Sequence, residues 1–512
     1  MDNLVTENVT ASFPWLTALV LVAVVGAVVV WALPRGARKH VRTTALVFSL
    51  VNVGLLVGAF LAFDTSRAGS HQLYEQHSWI PQIGTSYAVG VDGVGLLLVA
   101  LGVVLVPLVI LAAWREQGDD AEKLRHYLAL TLVTAAFMTL IFAARDVFLF
   151  YVVFEAMLVP IYFMIGAFGG AQRRGAAVKF LLFSLAGGLV MLVAVIALFL
   201  QGPGGAEGFL VENLVGIEMS QTAERLMFLG FFLAFAIKAP MFPVHTWLPD
   251  AAQQAPAGTS ALLVGVLDKV GTFGMLTLCL PLFPEASAWA APVVIVLAVV
   301  SIIYGALLAL GQTDLMRLIA YTSVSHFGFI VLGIFATTQT SVAGASFYMV
   351  NHGLSTGLLF LVAGMIVARH PSRSQRIADY GGLQRVVPVI AGVFLVAGLS
   401  ALSLPGLSPF VSEIMVLIGS YSASPAAVIV AATAVILAAL YILLTYQRIF
   451  TGPPRDGLTE LPDIAGRERW VVAPLIVLML VLGFYPRPAL DLVEQPADVT
   501  VSTQHISEGS AS

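Results

Sequence analysis

The sequence predicts an all-α polytopic membrane protein with about fourteen transmembrane helices. Of its 512 residues, 59% are hydrophobic and only 11% are charged, whereas a soluble domain carries about 25% charged residues. The mean hydropathy is +0.94. Apolar stretches of about 20 residues, long enough to cross the hydrocarbon core as helices, recur along the whole chain. Two of them are interrupted by proline, at Pro240 and Pro405.

A hydropathy window of about 19 residues defines the predicted spans, of which the seventh and twelfth are broken. They cover residues 15–34, 42–63, 91–114, 126–143, 147–167, 177–200, 225–257, 258–281, 289–311, 314–336, 342–369, 387–421, 425–450 and 470–486. Because fourteen is even, both termini are expected on the same side of the membrane.

The basic residues indicate which side this is. With both termini outside, nineteen of the 25 lysine and arginine residues lie on the inner side, among them Arg35, Arg38, Lys39 and Arg115, and four lie outside. Cytoplasmic loops are enriched in these residues, so both termini are expected on the outer side. No basic residue precedes the first span, which argues against a signal peptide.

The spans indicate four regions and an internal repeat. Residues 1–125 contain spans one to three with an outer-surface hairpin or loop at 64–90, residues 126–281 a first five-helix repeat, residues 289–450 a second, and residues 451–512 an inner loop, span fourteen and a tail expected to be poorly ordered. Adding 165 to the starts of spans four to eight reproduces those of spans nine to thirteen within a few residues. Since five is odd, the copies would be inverted, as in many transporters. A chance match of evenly sized spans is the alternative.

Several kinds of site are excluded by composition. The single cysteine, Cys279, cannot form an intramolecular disulfide or hold an iron–sulfur cluster by itself. There is no phosphate-binding loop, no dinucleotide-binding glycine pattern and no zinc-protease motif.

Titratable residues inside the apolar spans are the candidate functional residues. Six lie near the middle of their spans: Glu155, Lys238, Lys269, His326, His352 and Glu413. A charge in the membrane core costs at least a few kcal/mol, so such residues usually mark ion or proton pathways. Their shared depth on different helices suits a row along the membrane plane. The carboxylates, amines and imidazoles favour proton transfer.

Each candidate also has a structural interpretation. Glu155 and Lys238 could form a structural ion pair, and His352 could be a hydrogen-bonded packing residue. Lys179 could extend its amine toward the inner surface. His245 and Asp250, which follow the break at Pro240, could satisfy backbone groups that the break leaves free.

Several stretches carry a family resemblance that covers essentially the whole chain. Residues 149–160 (LFYVVFEAMLVP), 238–256 (KAPMFPVHTWLPDAAQQAP), 265–273 (GVLDKVGTF) and 321–328 (YTSVSHFG) resemble the antiporter-like membrane subunits of respiratory complex I. The resemblance implies that Glu155 and Lys238 form the glutamate–lysine pair of the family and that Lys269 is its central lysine. His326 and His352 would continue the polar axis to Glu413, whose glutamate indicates the chain M branch.

The resemblance also implies a function and partners. The expected function is proton translocation coupled to quinone reduction elsewhere in the complex, along a route from the inner side through Lys269, His326 and His352 to Glu413. NADH, FMN, iron–sulfur clusters and quinone would belong to partner subunits, with no cofactor or metal in this chain. Its partners would be chain L-like and chain N-like subunits, lipid, protons and internal water, and not nucleic acid, in a bacterial cell membrane.

Three other functions stay open at this point. The first is a subunit of a multisubunit sodium/proton antiporter, although these usually carry lysine where this chain has Glu413. The second is an anchor in a membrane-bound hydrogenase, which would transport nothing. A solute permease is the least favoured, because the sequence shows no polar pocket beyond these titratable groups.

Overall fold

A computed structural model of the chain describes residues 8–34, 38–114 and 120–510. The predicted inner-side residues Arg35 and Arg115 lie outside this part, as do the side chains of Arg38 and Lys39. The first predicted region contains β1 (Asn8–Thr10), α1 (Trp15–Ala32), α2 (Arg38–Ala62), β2 (His71–Ile80), β3 (Thr85–Val91) and α3 (Gly93–Ala112).

The first predicted five-helix unit begins with α4 (Ala121–Ala143), α5 (Val147–Ala156), α6 (Leu158–Phe168), α7 (Arg173–Gln201), α8 (Val211–Leu214), α9 (Gln221–Lys238) and α10 (Trp247–Gln254). It ends with one continuous helical rod in which α11 (Ala257–Leu262), α12 (Lys269–Gly274) and α13 (Leu280–Leu282) are joined by the π-helical segments Leu263–Leu267 and Met275–Cys279.

The second predicted unit contains α14 (Pro284–Leu310), α15 (Leu315–Phe335), α16 (Gln339–Arg369), α17 (Leu383–Val386), α18 (Pro388–Ala401), α19 (Ser408–Tyr421), α20 (Pro425–Ala432) and α21 (Ala434–Phe450). The chain ends with α22 (Arg467–Phe484) and α23 (Arg487–Ser510). The starts of α4, α5, α7, α9 and α11, moved by 165 residues, fall within three residues of those of α14, α15, α16, α18 and α20. This offset concerns chain position only, so the inverted repeat and the region boundaries stay predictions.

The fold class is confirmed. Within the described part, 11 helices are long and apolar enough to cross a membrane, or 12 if α22 and α23 are counted as one bent span. The predicted spans seven and twelve are not among them, since each is divided into two helices, α9 with α10 and α18 with α19. Although α9 is 18 residues long, it carries the charged residues Glu224, Arg225 and Lys238. The total of fourteen therefore stays a prediction.

Burial separates central from peripheral helices. In the apolar stretches of the span Ala257–Leu282 and of α15, 94% of the residues are buried within the molecule. The share of buried residues is 89% in α16 but only 33% in α1. A helix that is apolar around its whole circumference suits either lipid or a protein core. The three buried helices carry three of the six candidate residues, Lys269, His326 and His352, so this part of the candidate site lies in the centre of the molecule.

The predicted hairpin is present. Strands β2 and β3 pair antiparallel, and β1 adds to β2 in parallel. Gly84 connects β2 and β3 at φ 78°, a left-handed conformation that glycine adopts without steric cost. The sequence-based prediction placed this hairpin on the outer surface.

The prediction of a poorly ordered tail is wrong for residues 488–510. These residues form most of α23, which turns by 69° from α22. Its buried residues Ala489, Leu492, Val493 and Ala497 have helical spacing and pack toward α3, α14 and α16. The helix approaches α3 so closely that a Cβ on Gly93 would lie 1.8 Å from the Leu492 carbonyl oxygen. The prediction was based on the overall polarity of the segment, which gives no indication of this apolar helix face.

Candidate functional site

The centre of the molecule contains a row of polar contacts on four helices. Lys269 begins α12, His326 lies on α15, His352 on α16 and Glu413 on α19. All four are buried, with side chains between 0% and 7% exposed. The α16 helix packs against the π-helical segment Leu263–Leu267, α15 and α19, so it is the scaffold that brings these residues together.

Lys269 occupies one end of this row. Its Nζ donates to the Val264 carbonyl oxygen at 2.5 Å and lies 2.7 Å from Nδ1 of His352. The π-helical turn explains the first contact. The Asp268 N–H donates to the Leu263 carbonyl instead of the Val264 carbonyl, which leaves the latter free for the amine. Single π turns inside α-helices are frequent at functional sites.

Glu413 occupies the other end. Its Oε2 accepts hydrogen bonds from Tyr348 Oη at 2.7 Å and from Ser403 Oγ at 2.6 Å. Asn351 Nδ2 on α16 donates to the Ser408 carbonyl at 3.0 Å and lies 3.1 Å from Ser412 Oγ. These bonds tie the first turn of α19, and with it Glu413, to α16.

Tyr348 links Glu413 to His326. Its Oη lies 2.8 Å from Nδ1 of His326. Because the tyrosine proton goes to Glu413, Oη accepts from a protonated Nδ1 of His326, and the His326 Nε2 is then an acceptor. If Lys269 is protonated, Nδ1 of His352 accepts and its Nε2 carries the hydrogen. The two rings lie 5.2 Å apart, and neither Nε2 has a hydrogen-bond partner within the described part.

Lys238 lies outside this row, at the C-terminal end of α9. Its amine lies 5.4 Å from the centre of the Phe180 ring and 5.9 Å from that of Phe154, which allows cation–π attraction. The C-terminal carbonyls of a helix also favour a positive charge. Trp247 Nε1 donates to the Ile237 carbonyl at 2.9 Å and so caps the broken helix beside Lys238.

Glu155 is partly exposed at the surface of the isolated chain. It acts electrostatically on Lys238, but its Oε1 has no hydrogen-bond partner among the described residues. A Cβ on Gly188 of α7 would lie 1.5 Å from this oxygen, so the glycine makes the room for Glu155. The predicted pair is near enough for electrostatic coupling but is not joined by a hydrogen bond at this oxygen.

Asp250 and His245, which follow the first break, do not bind the backbone groups that the break leaves free. Asp250 pairs with Lys179 at 2.7 Å and with Arg317, not with free backbone groups. It lines a surface cavity of about 660 Å³ together with Arg317. His245 is buried, and neither of its ring nitrogens has a hydrogen-bond partner within the described ranges. The interpretation that these two residues satisfy the backbone groups freed by the break is therefore wrong.

Both predicted breaks are present. The first separates Lys238 from Trp247 and contains Pro240, and the second separates Ala401 from Ser408 and contains Pro405. In the second break Ser403 and Gly406 have positive φ angles of 58° and 93°. The turn at Ser403 places its hydroxyl on Glu413.

Three residues of this centre are not among the residues predicted from the sequence: Tyr348, Trp247 and Asp268. Tyr348 lies four residues before His352 on α16, so it shares that helix face, and this spacing was a signal for it. Asp268 is a carboxylate inside an apolar run, directly before Lys269. The capping role of Trp247 had no sequence signal, because it depends on how the chain turns after the break.

The fold and the site define a polytopic membrane protein with a buried row of titratable groups. Three findings agree with this class. The family described as "NADH:quinone oxidoreductase/Mrp antiporter, TM" matches residues 144–438. NADH-quinone oxidoreductase subunit M of Mycobacterium tuberculosis (strain ATCC 25618 / H37Rv) is 45% identical, over 96% of this chain and 94% of that protein. The subunit M of Escherichia coli (strain K12) is 37% identical over 93% and 95%.

Solved structures show the same fold. A chain of respiratory complex I from Thermus thermophilus with bound NADH has a TM-score of 0.85 and 33% identity, over 95% of this chain and 99% of that chain. A chain of the Mrp complex from Dietzia sp. DQ12-45-1b has a TM-score of 0.83 at 22% identity, over 96% and 98%, which shows the fold alone. The chain belongs to the family of NADH:quinone oxidoreductase and Mrp antiporter membrane proteins.

Proposed function

We infer that the chain is a proton-translocating membrane subunit of an NADH:quinone oxidoreductase, of the subunit M type. The observation that carries this proposal is the buried row of contacts Lys269–His352 and His326–Tyr348–Glu413. Relatives named subunit M at 37% and 45% identity over nearly the whole chain support it. The similarity to an Mrp complex shows the fold alone, so it does not favour sodium/proton antiport.

The hydrogen-bond directions allow a proton to move along the row. Protonated Lys269 donates to His352, whose Nε2–H is the next donor. The Nε2 of His326 is an acceptor, and its Nδ1–H donates to Tyr348, which in turn donates to Glu413. Transfer of one proton through each group ends with a protonated Glu413 and a neutral Lys269. A bridging water or a ring rotation between the histidines would complete the path.

Glu155 and Lys238 act as the electrostatic gate in this proposal. When the Glu155 charge acts on Lys238, the ammonium form of Lys238 is stabilised. A positive charge at Lys238 repels a second one at Lys269, and its neutralisation removes that repulsion. Pro240 and Pro405 contribute by interrupting the helices at this depth, where polar backbone can then meet the titratable groups.

The remaining assignments follow from the same family relationship. The chain has no redox site of its own and depends on partner subunits that hold NADH, FMN, iron–sulfur clusters and quinone. Chain L-like and chain N-like subunits are its neighbours in a bacterial cell membrane. Both termini face the outer side, and protons enter from the inner side near the Asp250 cavity.

Replacement of Lys238 by alanine tests the proposed function. In the intact complex in proteoliposomes, Lys238→Ala should abolish proton translocation through this subunit and leave assembly intact, because the gate loses its titratable charge. The measurement pairs a pH-sensitive dye inside the vesicles with the rate of NADH oxidation. Lys123→Ala is the matched control, since Lys123 is a surface lysine whose side chain is 65% exposed. Normal pumping by Lys238→Ala would contradict the gate.

A further inference from the structure

Asp268 is a buried carboxylate that the row described above does not use. Its side chain is 0% exposed. Neither carboxylate oxygen has a hydrogen-bond partner within residues 8–34, 38–114 and 120–510. Buried polar groups are nearly always satisfied, and an isolated buried carboxylate is far costlier than a neutral group. Some other interaction must therefore account for this residue.

The helix that begins after Asp268 faces two different partners. Lys269 and Thr272 contact α16, through His352 and Met349 respectively. Gly271, three residues after Asp268, packs on the end of α9, where its Cβ would lie 2.5 Å from the Phe235 carbonyl oxygen. Residues three apart share a helix face. Asp268 also lies four residues before Thr272, a spacing that shares a face as well. It therefore lies between the side that meets the end of α9, where Lys238 lies, and the side that meets α16, to which Lys269 belongs.

Two lysines act on Asp268 from these two sides. The charges of Lys238 and Lys269 both interact with it. Asp268 and Glu155 are the two acids whose charges act on Lys238. For Lys269, Asp268 is the acid whose charge acts on the amine. The carboxylate thus lies between the proposed gate and the proton-carrying row.

We propose that Asp268 is a proton-exchanging carboxylate that couples Lys238 to Lys269. The N–H bond of the Lys269 ammonium breaks and an O–H bond forms on Asp268, so that both groups become neutral, and the reverse transfer restores the two charges. A positive Lys238 favours the ionised Asp268, whose negative charge offsets the direct repulsion between the two ammonium groups and so allows Lys269 to stay protonated. A neutral Lys238 favours the shared neutral state. This inference rests on the proposed function and supplies the charge through which the gate acts on the row.

Replacement by asparagine, Asp268→Asn, removes the exchangeable proton at nearly constant shape. In the intact complex, the rate of proton translocation through this subunit should fall roughly 10²-fold, the lower end of what a positioned proton-transfer group contributes. The readout is protons translocated per NADH oxidised in the assembled complex. A purely structural role would lower the amount of complex without changing that ratio. If the asparagine variant does not assemble, Asp268→Leu, which leaves no polar atom to satisfy, takes its place.

Glu224→Gln is the matched control. Glu224 is another buried acid, located in the first turn of α9, where it accepts from the Ala286 N–H at 3.0 Å, and its variant should pump normally. A third variant, Lys269→Ala, separates a failure of the inference about Asp268 from a failure of the proposed function. If Lys269→Ala stops pumping but Asp268→Asn and Asp268→Leu pump at the wild-type ratio, the inference about Asp268 is overturned and the proposed function stands. If Lys269→Ala also pumps normally, the proposed function itself is wrong.

Discussion

Tyr348 is the residue on which continuity of the buried row depends. Its hydroxyl is the only described group that contacts both His326 and Glu413. The ring is 0% exposed, so no bulk water can replace the hydroxyl. The sequence pointed to the two residues on either side of it and not to the tyrosine itself.

Tyr348→Phe should interrupt proton transfer while leaving the packing intact. Loss of the hydroxyl removes one hydrogen bond from Glu413, which keeps the bond from Ser403, and the bond at Nδ1 of His326, where a buried group left without a partner costs about 1–3 kcal/mol. The expected result is at least a roughly 10²-fold slower proton translocation with little loss of assembled complex. Dye-based pumping in proteoliposomes measures this. Tyr380→Phe is the control, because that buried tyrosine donates to the Ser374 carbonyl far along the chain from the row. Equal pumping by both variants would exclude Tyr348 from the pathway.

The residues that sequence reasoning found share one property. Lys238, Lys269, His326, His352 and Glu413 are each expensive in an apolar helix, and this cost is visible without knowing any neighbour. Tyrosine carries no such cost in a membrane helix, so Tyr348 gives no signal by itself. Burial of the Asp268 carboxylate is equally costly, but the sequence prediction singled out the neighbouring Lys269 and not Asp268. Which groups contact one another depends on how α16 packs against its neighbours.

At the scale of helices, the approach of α12 to α9 sets the distance between the gate and the row. Gly271 makes this approach possible, since a Cβ there would lie 2.5 Å from the Phe235 carbonyl oxygen and 2.6 Å from the Ala239 nitrogen. Both atoms are backbone and cannot rotate away. The two helices are therefore in direct backbone contact at the level of Lys238.

Gly271→Ala should destabilise the subunit and separate these helices. Forcing an extra methyl group into a packed core costs about 1–3 kcal/mol, so the assembled complex should unfold at a lower temperature and pump less. Gly175→Ala is the control, because its added Cβ meets nothing within 4 Å. Alanine is favoured over glycine in a helix by roughly 0.5–1 kcal/mol, so that variant should be neutral or slightly stabilising. Thermal unfolding in detergent compares the two, and equal stability would show that α12 and α9 can separate freely.

At the scale of the whole molecule, burial places the titratable row away from lipid. The span Ala257–Leu282, α15 and α16 are almost fully enclosed, and helices such as α1 and α14 surround them with one third to two fifths of their residues buried. Proton-exchanging groups are thereby kept from the hydrocarbon, where an unpaired charge is most costly. The hairpin β2–β3 and the loop before α22 mark opposite faces in the predicted orientation.

Cysteine labelling tests that orientation. The one native cysteine, Cys279, is buried, so a membrane-impermeant maleimide should not react with it in the folded protein. Ser78→Cys in the hairpin should react in intact cells, and Thr459→Cys before α22 should react only in inverted vesicles. Both native residues are exposed, so access to the reagent depends on the side alone. The reverse pattern would place the termini on the inner side.

The sequence by itself determined the membrane class, most of the spans, both helix breaks and the expensive residues at mid-depth, because hydropathy, proline and buried charge act locally along the chain. Only the tertiary structure decided that Tyr348 joins His326 to Glu413, that Asp250 pairs with Lys179 and Arg317, and that the C-terminal segment is a packed helix. It also decided that Asp268 is fully buried without a hydrogen-bond partner among the described residues. Each of these depends on contacts between helices far apart in sequence. Such contacts are set by which faces pack together, and the apolar faces of membrane helices are too similar for hydropathy to distinguish them.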